Sequence, residues 1–163
     1  MNIIQNEEDL LEEELLAWMA TINSNALPYD ENNIKVMLVE GGEGPIPHVH
    51  IYRNGHSVED KRNASFVRLD KPNYSPNHKE GRKLSKKEKE QFITIMTTPW
   101  PGHYVEIDGK PIRRATGYEG AVDVWESAYG RIFDKDGTKF PRDKDGFLIM
   151  PDYSLLETDK KGN

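Results

Sequence analysis

The sequence predicts an α+β fold: an antiparallel sheet of three or more strands covered by two helices, with a C-terminal β-hairpin and a short helix added. Three observations lead there. The β-rich runs IKVMLVE, HVHIY and SFVRLD succeed one another between residues 34 and 70, separated by polar or Gly/Pro-rich connections. Stretches with helical apolar spacing lie on either side of them. Farther on, Asp108–Gly109 stands between two alternating runs, the signature of a tight hairpin turn.

The first helix is expected from Asn6, a capping residue followed by Glu7, Glu8 and Asp9, whose charges suit a helix N-terminus. Leu11, Leu15, Trp18 and Ile22 then repeat at helical spacing, widened by Leu10 and Met19. Strands follow at 34 to 40, at HVHIY and at 65 to 70. The loop GGEGPIP separates the first two, and the polar connection NGHSVEDKRNA precedes the third. A second helix opens at KLSKKEKEQFITIMTT, where Ser85 and Glu88 fit a capping box and Leu84 a staple. Phe92, Ile95 and Met96 form its apolar side, and Pro99–Trp100–Pro101–Gly102 stops it. HYVEIDGKPI reads as the hairpin, AVDVWESAYGRI as a short third helix, and the two Asp-Lys-Asp-Gly stretches at 134 and 143 as turns. Residues 1–98 thus make the core, residues 99–163 an elaboration packed on the same domain, and the tail frays from about 158.

The chain has 163 residues, enough for one domain with a real core. Its 22 basic and 28 acidic residues leave a net charge of −6, which argues against binding a nucleic-acid backbone. Cysteine is absent, so disulfides, thiolate metal sites and a cysteine nucleophile are excluded. No apolar run suits a membrane span, and the acidic start is unlike a signal peptide. These features predict a cytoplasmic protein without membrane attachment.

In GPIPHVHIYRNG, residues 44 to 55, alternate side chains of the strand point the same way. Val49 and Ile51 belong with Val67 and Leu69 in the core. His48, His50 and Tyr52, with Arg68 of the next strand, then share the opposite face, expected to be polar and open. That face is a candidate binding surface. Two imidazoles about 6–7 Å apart along a strand can also converge on a divalent ion such as zinc. The alternative is hydrogen-bonded imidazoles without any ion. A metal site needs a third ligand, for which His78 and His103 are the candidates. The opening Gly42-x5-His48-x-His50 resembles the cupin metal motif, but Asn54 and Gly55 stand where that family carries a glutamate.

A second resemblance covers residues 34 to 98 and rests on IKVMLVE, PHVHIYRNG, FVRLD and LSKKEKEQF. In this order of elements the chain resembles a small bacterial domain family of unknown function with a Pro-Pro-His-x-His strand motif. Its members are often encoded beside toxin–antitoxin modules or in phages and mobile elements. Ile46 replaces the first proline of that pattern. The resemblance implies an α+β sandwich-like unit and a small accessory role with no established chemistry. Together with the acidic charge and the missing catalytic motif, it leads to the expectation of a protein partner, antitoxin-like or an inhibitor of a host defence enzyme, and of no cofactor.

Other motifs point nowhere specific. His78, Lys79, Arg82 and Lys83 form a basic patch ahead of the second helix, fit for an anion or nucleic-acid contact or simply for solvent, and the net charge of −6 favours solvent. The Asp-Lys-Asp-Gly stretches place glycine too early for a calcium loop. There is no GxSxG elbow and no phosphate loop, so no catalytic residue is assigned. The aromatics Trp100, Tyr104, Tyr118, Trp125 and Tyr129 suit core packing or a partner surface.

Overall fold

The structure is a computed structural model, describing residues 34–37, 46–53, 61–76, 78, 80–136 and 140–159. The expected N-terminal helix, the loop GGEGP and Lys79 lie outside the described residues. Strands β1 (Ile34–Met37), β2 (His48–Arg53) and β3 (Ser65–Arg68) form an antiparallel sheet in that order. Val36 lies opposite Ile51 and Val49 opposite Val67, all four essentially inaccessible. A one-residue slip would turn these side chains out of the core, so hydrophobic alternation sets the register.

Helix α1 (Lys86–Thr97) packs on this face. Ser85 Oγ accepts from the Glu88 amide at 3.1 Å and Glu88 Oε1 from the Ser85 amide at 2.8 Å. The capping box read in the sequence is therefore formed, and Phe92, Ile95 and Met96 are fully buried. The Pro/Gly cluster that ends α1 also begins β4 (Pro99–Ile107). This strand pairs antiparallel with β5 (Lys110–Thr116) around Asp108 and Gly109, both at positive φ as a tight primed turn requires.

The next helix is longer than expected. Helix α2 spans Gly117–Asp136, 20 residues, and begins ahead of the Ala121 start read from the sequence. A second reciprocal cap explains this: the Glu119 amide donates to Thr116 Oγ1 at 3.3 Å, and the Thr116 amide to Glu119 Oε1 at 2.9 Å. Tyr118, Ala121, Val122 and Trp125 make its buried stripe and join the main core rather than a separate one. α1 and α2 are the two α-helices among the described residues, and they pack against each other.

The C-terminal segment docks on α1. Tyr153 and Leu156 enter the core, and Lys89 Nζ donates to the Ser154 carbonyl at 2.9 Å. At the edge of the tail expected to fray, the Asp159 amide donates to the Leu84 carbonyl at 2.8 Å, and residues 160–163 lie outside the described residues. At residues 143–146, Asp143 Oδ1 accepts the Asp145 and Phe147 amides, a local turn with Gly146 at positive φ. Among the described residues no helix is long and apolar enough to cross a membrane.

One ion pair ties sheet to helix. Arg53, at the end of β2 and 7% exposed, donates to both carboxylate oxygens of Glu88 at 2.7 and 2.9 Å. It also reaches the Asn63 carbonyl and Ser65 Oγ, so its buried donors are used.

Candidate metal centre

Alternation along β2 turns His48, His50 and Tyr52 away from α1, and the register sets Phe66 opposite His50 and Arg68 opposite His48. The expectation that this face is open is overturned. His48 is 0%, His50 3% and Tyr52 4% exposed. Tyr52, Ala64 and Phe66 make a small apolar cluster there, and the chain around His78 and Gly81 crosses it. The Phe66 ring stacks on His78 with centroids 4.0 Å apart and planes 14° apart. A Cβ on Gly81 would lie 2.5 Å from the same ring, so only glycine lets the backbone pass.

That crossing delivers a third imidazole. His48 Nε2 lies 3.2 Å from His50 Nε2 and 3.2 Å from His78 Nε2. The ligand nitrogens of all three fall within 4.8 Å of one another. Two zinc–nitrogen bonds of about 2.0–2.1 Å at the tetrahedral angle would place their nitrogens about 3.3–3.4 Å apart. The observed spacing agrees with that value to within about 0.2 Å.

The other ring nitrogens decide which way the lone pairs point. His48 Nδ1 faces the Ile46 carbonyl at 2.8 Å, an acceptor only, and so donates to it. His78 Nδ1 faces Glu80 Oε1 at 3.4 Å, again an acceptor. His50 Nδ1 faces the Tyr52 hydroxyl at 3.3 Å, which can take either role. With protons on Nδ1, His48 and His78 point Nε2 lone pairs at each other across 3.2 Å. Such an approach is relieved either by a metal ion between the two atoms or by the other His78 tautomer, whose Nε2–H donates to His48 Nε2. Outer partners that hold Nδ1–H and aim Nε2 inward are the usual support of a histidine metal ligand.

The remaining predicted residues go elsewhere. Arg68 forms a bidentate pair with Asp70 at 2.8 Å through both nitrogens and does not join the imidazoles. Arg82 is exposed, and Lys83 pairs with Glu157 at 2.8 Å. The basic patch is thus divided, with His78 turned inward and the two cations at the rim. His103 is not a third ligand. Its Nε2 lies 2.6 Å from Asp123 Oδ2, in a separate cleft of about 520 Å³ between β4 and α2. Sequence reasoning named His78 as a possible ligand on count alone, since no spacing rule links it to His48. Comparison with protein-family models, with curated proteins and with solved structures gave no match.

Proposed function

We propose that His48, His50 and His78 hold a divalent metal ion, zinc being the best fit, and that the protein is a metal-binding module or a metal-dependent enzyme. The convergence of three imidazoles, with His48 Nε2 at 3.2 Å from the Nε2 of both His50 and His78, carries this reading. The cysteine-free, all-nitrogen donor set suits zinc over softer ions. Three protein ligands leave one position open, the arrangement of a catalytic rather than a closed structural zinc. A metal held in this way can polarise a water or a carbonyl oxygen, so hydrolysis is the reaction class it favours.

Native mass spectrometry with and without zinc tests the proposal. One ion per chain is expected, lost in the His48→Asn/His50→Asn variant. Zinc-free protein at excess zinc, or equal uptake by the variant, would refute it.

A second reading is the partner-binding protein of phage or mobile-element type, antitoxin-like or an inhibitor of a host defence enzyme, acting in the cytoplasm. The resemblance over residues 34 to 98 supports it, as do the exposed side chains of Ile112, Ile149 and Leu155. It ranks second because it leaves the meeting of three imidazoles without a purpose.

A further inference from the structure

A pocket of about 120 Å³ is lined by one residue of the metal centre, His78, by the Phe66 ring that stacks on it, and by Tyr74, Gly81, Arg82 and Lys83. Its size admits a small chemical group and not a whole drug-sized ligand, for which several hundred Å³ are usual. Phe66 and Tyr74 supply apolar wall, while the basic residues Arg82 and Lys83 belong to its lining. Neither cation is tightly committed. Arg82 makes a 3.4 Å contact with Asn63 Oδ1, and the Lys83–Glu157 pair is exposed on both sides, a class of ion pair worth little. Two carboxylates contact residues of this lining: Glu80 lies 3.4 Å from His78 Nδ1, and Glu157 pairs with Lys83.

We infer that this pocket is the substrate side of the metal centre and that it takes a small oxyanion, a phosphoryl or carboxylate group. The inference rests on the metal reading above. One oxygen of the anion occupies the open metal position, and the outer oxygens turn toward Arg82 and Lys83. A metal ion beside two cations makes the negative charge of the ligand the dominant attraction in a pocket with little room for other recognition.

Cobalt-loaded protein provides the probe, because its visible spectrum reports ligands entering the coordination sphere. Titration with inorganic phosphate should shift the cobalt bands saturably, with sodium chloride at matched ionic strength giving no such change. The Arg82→Gln/Lys83→Gln variant should bind cobalt as the wild type does, yet weaken phosphate about tenfold or more. A parallel titration with acetate separates the two sources. Tighter phosphate binding assigns a phosphoryl group, and tighter acetate binding a carboxylate. A cobalt spectrum that neither anion alters, or equal anion affinity in the variant, overturns the inference and leaves the metal reading standing. Failure to form the cobalt spectrum at all sinks both.

Discussion

The Nε2 atoms of His48 and His78 lie 3.2 Å apart although the residues are thirty positions apart in sequence. Each ring turns its other nitrogen to an acceptor, the Ile46 carbonyl for His48 and the Glu80 carboxylate for His78. Zinc should therefore bind the folded protein and not the unfolded chain, and stabilise it by mass action. At free zinc one hundred times the dissociation constant the gain is about 2.7 kcal/mol, or roughly 5–10 °C in Tm. Calorimetry of wild type and His78→Asn with and without zinc would read this. An identical zinc shift in both would remove His78 from the centre.

The outer partners should matter without being ligands. Glu80→Ala and Tyr52→Phe each remove a group facing an Nδ1 atom. Either should lower zinc affinity by about 10–100-fold while the metal-free fold persists. Competition with a chromophoric chelator, with circular dichroism as the fold control, measures both effects. Unchanged affinity in both variants would mean that ring orientation is held by packing alone.

Gly81 separates a steric role from a conformational one. A Cβ there would lie 2.5 and 2.8 Å from carbons of the Phe66 ring, which itself stacks on His78. Gly81→Ala should cost about 1–3 kcal/mol by overpacking and loosen zinc through the displaced His78. Gly109→Ala is the contrast, with nothing within 4 Å of its Cβ and only a φ of +77° to object. It should cost about 1–2 kcal/mol and leave zinc affinity alone. Denaturant melts and zinc titrations on the pair decide the matter, and equal zinc binding by both variants would contradict the stacking argument.

The Arg53–Glu88 pair should shape the acid limb of stability. Burial would raise the Glu88 carboxyl, but hydrogen bonds from Arg53 and Ser85 outweigh it and hold the group below its ordinary value. The unfolded chain then binds that proton more readily than the folded one. The stabilisation is complete above the ordinary carboxylate pKa and disappears as the pH falls through the lowered folded value. Glu88→Gln should lower stability at pH 7 and flatten the fall between pH 5 and pH 3 in urea titrations. Arg53→Met, which strands a partly buried carboxylate, should cost about 1–3 kcal/mol at pH 7. A Glu88→Gln profile parallel to wild type would show that the pair is not the titrating element.

Gln91 invites a stabilising change. It is buried on α1, and its Oε1 has no hydrogen-bond partner among the described residues. An unpaired buried acceptor costs about 1–3 kcal/mol, so Gln91→Leu should be neutral or better in Tm. A clear loss of stability would show that the amide is satisfied after all.

Much of the secondary structure was readable because it is specified locally. The alternation Val49–Ile51 facing Val67, the Ser85–Glu88 cap and the Asp108–Gly109 turn each depend on residues close in sequence. The apolar run from Ala121 understates helix α2, because its start is set by the Thr-x-x-Glu cap at Thr116 and Glu119 and not by the stripe. The histidine face departs from its local pattern for another reason. Polar side chains at alternate positions mark an exposed face only if nothing crosses it, and no local pattern reports that the chain at Gly81 does.

By itself, then, the sequence determined the α+β class, the core face of the sheet and the two histidines that share the other face. Those follow from backbone periodicity and from capping within a few residues. Tertiary structure alone decided that His78 joins His48 and His50, that His103 goes instead to Asp123, and that the His48 and His50 imidazoles are buried. Convergence of side chains thirty positions apart depends on how a turn-rich loop packs against Phe66, and that contact is set by the shape of the whole fold.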